Sequence, residues 1–122
     1  MAIESGEVES EIAREVLAVH EANYGVGANS THVHLAGDFV IVALDIELTQ
    51  AERTLLDAGK REAVTGMRES FQEVIGATFS AIVERATGRR VISFVSQMNI
   101  EPLYALEVFR LAPSDASRPP EP

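Results

Sequence analysis

From Thr49 to Gly88 the chain reads as helix with one interruption, and on both sides of that stretch the hydrophobic period drops to two. Few folds accommodate this order. A pair of strand runs joined by a short turn folds into an antiparallel hairpin, and a helical crossover between two such pairs has to lie over a sheet face. Adding an amphipathic segment at the start gives helix, two strands, two helices, two strands. The expectation is an α+β domain: a mainly antiparallel four-stranded sheet of two hairpins, with a long helix crossover and an N-terminal helix packed on one face.

The individual signals support that order. Val8, Ile12, Val16 and Val19 recur at helical spacing, so a helix is predicted over 7–23, with Glu7, Glu11 and Glu15 on its solvated side. "YGVGANS" at 24–30 follows a helix and precedes a strand, the reverse of a dinucleotide fingerprint, and reads as a loop. Thr31, Val33 and Leu35 share one face of the first strand. Val40, Val42, Leu44, Ile46 and Leu48 form the buried set of the second, with Asp45 and Glu47 facing away and a turn at Ala36-Gly37-Asp38. Two further strands are predicted over 90–98 and 103–111, joined through "NIEP".

The sharpest local signal is "ELTQAERTLLDAGKRE", residues 47–62. Thr49 followed three residues later by Glu52 is a capping box, and Gly59 ends the short helix it opens. A second helix then runs to Thr87, with an apolar stripe of Val64, Met67, Phe71, Val74, Ile75, Phe79, Ile82 and Ala86. At ~1.5 Å per residue it is about 40 Å long, far more than the width of four strands at ~4.8 Å spacing. Either Gly66 or Gly76 breaks it, or one end projects and packs on a second copy, so a homodimer is expected. Residues 1–111 are read as the single domain and the proline-rich 112–122 as a disordered tail.

Charge and composition narrow the function. The chain has 122 residues, with 19 acids against ten bases and a net charge of −9, which disfavours nucleic acid and anionic membrane surfaces as partners. Its one close basic pair outside the joint is Arg89-Arg90. The chain contains no cysteine, so thiolate metal sites and thiol nucleophiles are excluded. No run approaches the roughly 20 apolar residues of a membrane span, and the acidic N-terminus lacks the layout of a secretion signal, so a cytoplasmic protein is expected.

Candidate chemistry is sparse. His32 and His34 sit two apart on a predicted strand, so both imidazoles point to one side and, with His20, offer a metal three ligands. The competing reading is two solvated histidines on an outer face. No Gly-x-Ser-x-Gly elbow or Walker loop is present. Arg61 and Arg68, seven apart at the edge of the long helix's stripe, suit either structural ion pairs with Glu52 or Glu62, or a contact for a partner or small anion.

"DFVIVALDIELTQAERTLLDAGKREAVTGMRESF" with "VERATGRRVISFVSQMNIEPLYALEVFRL" resembles the MpsC-like family, the C component of a sodium-translocating, membrane-potential-generating system. The resemblance covers about 8–111. It is carried by Leu48-Thr49 to Glu52, by Arg61 and Arg68, and by Thr87-Gly88 before Val91, none of them a catalytic motif. The chain departs from the family pattern at Val26 and Ala28 in the glycine loop and at Val95 and Gln97 in the third strand. The resemblance implies a soluble accessory or regulatory component, linked to membrane proteins that move sodium or inorganic carbon. The reading built on it is action by protein binding, with a second copy and a membrane transporter subunit as partners, and no cofactor is expected. The alternatives are a metal-dependent enzyme centred on His32 and His34, and a small-ligand sensor using the cleft between helices and sheet.

Overall fold

The computed structural model describes residues 5–113. Three helices and four strands follow the expected order: α1 (Ser5–Tyr24), β1 (Ala28–Ala36), β2 (Phe39–Ile46), α2 (Gln50–Asp57), α3 (Arg61–Thr87), β3 (Val91–Asn99) and β4 (Tyr104–Leu111). The strands form one antiparallel sheet of order β1-β2-β4-β3. Each hairpin pairs with itself, and β2 pairs with β4 at the centre, leaving β1 and β3 as the edges.

This topology answers the question of helix length. β2 and β3 both run antiparallel to β4, so they are parallel to each other, and the crossover between them has to travel the whole length of a strand. The dimension α3 has to match is therefore strand length, roughly 30 Å for nine residues, and not the sheet's width. α3 runs unbroken through Gly66 and Gly76, and the excess of about 10 Å at its N-terminal end is packed against α2. Its buried positions extend from Val64 to Ala86, so no apolar end projects.

The stripe itself differs at several steps from the one read off the sequence. Val74 is 77% exposed, while Arg68, Gln72, Gly76 and Val83 are buried. Val74 lies about 100° around the helix from Ile75, which turns it out to solvent.

α1 and α3 cover one face of the sheet. Val8, Ile12 and Val16 of α1 and Ile75, Phe79, Ile82 and Val83 of α3 pack on Val33, Val40, Val42, Leu44, Ala105 and Phe109. Leu48, expected among the buried residues of β2, is half-buried beyond the strand's end. Arg89 ties the far end together. It donates to Asp38 in the β1–β2 turn at 2.6 Å and to the Ala112 carbonyl at 2.6 and 3.1 Å. Half of the basic pair is therefore spent inside the fold. Ala112, placed in the tail by the sequence reading, is buried and donates its amide to the Arg90 carbonyl. Pro113 is exposed, and the rest of that tail, 114–122, lies outside the described residues.

The second face of the sheet carries no helix among the described residues. Alternation along β2 and β4 puts Phe39, Ile41, Ala43, Leu106 and Val108 there, with Val95 from β3 and His32 and His34 from β1. An antiparallel sheet with one wet face alternates apolar and polar residues, whereas Phe39–Leu44 is apolar at every position.

Candidate functional site

The capping box forms as its spacing predicts. Glu52 receives the Thr49 amide at 2.8 Å, and the Thr49 hydroxyl receives the Glu52 amide at 3.1 Å. The other end of α2 closes with Gly59 one position beyond the cap residue Ala58. Gly59 donates to the Leu56 carbonyl and Lys60 to the Leu55 carbonyl, the two bonds of a Schellman motif. The motif needs a left-handed residue at that point, and Gly59 has φ 77°.

These caps aim α2 so that Glu52 meets Arg68. Arg68 donates from Nε to Glu52 Oε2 at 2.6 Å, from Nη2 to Oε1 at 2.7 Å, and from Nη2 to the Glu47 carbonyl at 3.1 Å. The two side chains are 2% and 1% exposed. The guanidinium also lies 3.9 Å from the centre of the Tyr24 ring, which in turn packs on His20 and Phe71. The end of β2, α2, α3 and the end of α1 thus all meet at one arginine. Burial pushes Glu52 upward, but the bonds from Arg68 and Thr49 outweigh it and hold its carboxyl below the usual range.

Around this pair lies a buried polar layer. Burial lowers His20 to about 4, helped by the Arg68 charge, and raises Tyr24 to about 12, so both are neutral near pH 7. Glu107, on the core-facing side of β4, is fully buried, and burial raises it to about 8. Ser96, directly across the β3–β4 pair, is close enough to pull that value back down, yet neither Glu107 oxygen accepts a hydrogen bond of full geometry. Gln72 Oε1 and His20 Nε2 are likewise buried and unpartnered.

A groove of about 440 Å³ opens between α3 and β3 beside this layer. Arg68, Gln72 and Ser96 line its inner part, Phe94 and Met98 form an apolar wall, and Glu69 and Glu73 stand on the exposed side of α3.

The proposed contact arginines separate. Arg61 is exposed at the first turn of α3 and makes no side-chain hydrogen bond or ion pair among the described residues, whereas Arg68 lies in the middle of the buried stripe, not at its edge. His32 and His34 are both exposed on the open face, on either side of the buried Val33. His20 is buried on the core side, so the structure does not bring the three histidines together. Among the described residues no three His, Cys, Asp or Glu side chains gather as a metal set.

Sequence reasoning passed over Glu107 and Gln72. The signal was present. Ala105, Glu107, Phe109 and Leu111 share one strand face, and Arg68 and Gln72 fill the helical steps between Val64 and Gly76.

A family model described as "Na+-translocating membrane potential-generating system (MpsC)" matches residues 4–112. Neither a curated protein nor a solved structure matches the chain. No helix among the described residues is long and apolar enough to cross a membrane.

Proposed function

Because the chain belongs to the MpsC family, we propose that it serves a Na+-translocating, membrane-potential-generating system as a non-enzymatic cytoplasmic accessory component. It acts by protein binding, as a homodimer, on a system that moves sodium or inorganic carbon. The observation that supports this reading is the second face of the sheet, apolar along the middle of both central strands and uncovered among the described residues.

A second copy is the occupant that suits this face. Asp45 and Arg110 stand at opposite ends of it, on the same side as Ile41 and Val108. Stacking two such faces about a two-fold axis perpendicular to the strands sets Arg110 of one copy against Asp45 of the other, with uncharged rows between. For a chain of net charge −9, opposing these unlike charges across uncharged rows avoids setting like charges against each other at this contact. The apolar stripe of α3, from which a homodimer was expected, is spent within the chain, so the sheet takes its place in this reading. Arg61 remains free for a membrane transporter subunit.

Photo-crosslinking amino acids at Val95 and Arg61, introduced separately in native cells, test both contacts. The Val95 probe is expected to join the chain to itself, and the Arg61 probe to join it to a multi-span membrane protein. Monomer alone from the first probe contradicts the dimer. Absence of any membrane-protein adduct from the second contradicts the accessory role.

A further inference from the structure

His32 and His34 alternate with the buried Val33 on β1, so both imidazoles stand on the open face of the sheet, on an edge strand. Cross-strand register sets them in the rows that carry the apolar residues of that face. His34 is level with Ile41 and Val108, and His32 with Ala43 and Leu106. Neither histidine makes a side-chain hydrogen bond or ion pair among the described residues. The polar residues in the next row, Ser30 and Asp45, are hydrogen-bonded to each other. Two exposed imidazoles without partners therefore border an apolar surface. Within one chain they remain two ligands, since no third His, Asp or Glu joins them among the described residues.

We propose that a second copy completes the set: His32 and His34 of both copies bind one zinc-like divalent cation at the edge of the dimer contact. This inference rests on the face-to-face dimer proposed for this chain. The two-fold axis that sets Arg110 against Asp45 crosses β2 midway between Phe39, which pairs with Arg110, and Asp45. That midpoint is Val42, whose partner on β1 is Val33. Rotation about this axis stacks β1 of one copy on β1 of the other and exchanges the rows on either side of Val33. His32 of one copy then faces His34 of the other.

Four imidazoles thus meet from the two sides of a gap of about 10 Å, the spacing of stacked sheets. Four nitrogen donors in two opposed pairs suit tetrahedral zinc. Imidazole favours zinc, copper or nickel, whereas magnesium takes oxygen ligands. With all four positions filled by protein, the ion ties the copies together and leaves no open position for a reacting water. Its two positive charges also offset part of the repulsion between two chains of net charge −9. An ion held by the dimer and not by the monomer shifts the association toward the dimer by mass action.

Sedimentation equilibrium of the untagged full chain with EDTA, zinc chloride or magnesium chloride, beside calorimetric titration with zinc, tests the site. The expected result is one zinc per two chains, with a dimer dissociation constant at least about tenfold lower with zinc than with EDTA and no effect of magnesium. His32→Ala and His34→Ala each remove two of the four ligands from a symmetric dimer. Either change alone is expected to abolish the zinc response, with far-ultraviolet circular dichroism unchanged. No zinc uptake, one zinc per chain without a change in association, or an equal zinc response in the folded variants overturns the proposal. A parent that dimerises with EDTA but takes up no zinc contradicts this inference alone. One that stays monomeric under every condition contradicts the dimer as well.

Discussion

Arg68 and Glu52, sixteen residues apart in sequence, form a bidentate ion pair with both side chains almost wholly buried, at the point where the two crossover helices meet. The same Glu52 carboxylate caps the helix it sits on. One side chain thus sets both where α2 starts and how it docks on α3.

Removing one partner leaves the other charged and stranded. Arg68→Ala is expected to destabilise the fold by about 3–5 kcal/mol, because Glu52 then stays buried without its cation. The paired change Glu52→Leu with Arg68→Met is expected to recover a large part of that loss. Denaturant unfolding of the single and double variants checks both outcomes, and a double variant no better than Arg68→Ala contradicts the account.

The Thr49 cap acts more locally. Thr49→Ala deletes the hydroxyl that receives the Glu52 amide and is expected to cost about 1 kcal/mol, with the fold retained. For a chain of this size that corresponds to a fall in melting temperature of roughly 4 °C. An unchanged melting temperature in a calorimetric scan argues against the cap.

Stability against pH has two opposed contributions. Glu107 is raised from 4.5 to about 8 in the fold, so its contribution is fully present below pH 4.5 and is lost as pH rises through 8. His20 is lowered from 6.5 to about 4, so its contribution is present above pH 6.5 and is lost as pH falls through 4. The two slopes offset each other between pH 4.5 and 6.5, leaving a net decline from 6.5 to 8. Glu107→Gln is expected to remove that decline, which chemical denaturation at a series of pH values reads directly.

Gly76 lets β3 approach α3. A Cβ placed there lies 2.8 Å from the Phe94 ring, inside any tolerable contact. Gly76→Ala is expected to destabilise by about 1–3 kcal/mol despite alanine's better helix propensity, with part of the loss recovered when Phe94 is also changed to Leu. A stabilised Gly76→Ala protein contradicts the packing described.

Periodicity and caps made most of the architecture legible. The period-two runs located all four strands, although β1 starts at Ala28, inside the segment read as a loop; the 3.6-period runs located α1 and α3, and Thr49 with Glu52 located the start of α2. Strand order was not legible, because hairpin signals are local and say nothing about which edges meet. The buried polar layer was hidden for a different reason. Arg68 and Gln72 stand at core-facing steps of α3, and Glu107 at a core-facing step of β4, but the hydrophobic pattern treats a polar residue there as a gap. Arg68 was singled out as a charge and placed at the stripe's edge, because its partner Glu52 comes from another element. The open sheet face was written in the unbroken apolar run Phe39–Leu44, which was read for one face only.

The central claim, that the chain works by binding through that face, is tested most directly by sedimentation equilibrium of the purified chain beside Val108→Asp. Val108 sits mid-face on β4, opposite Ile41 and Val95. The account predicts a dimer for the parent and a folded monomer for Val108→Asp, with unchanged far-ultraviolet circular dichroism. A monomeric parent, or a Val108→Asp variant that dimerises as the parent does, contradicts it.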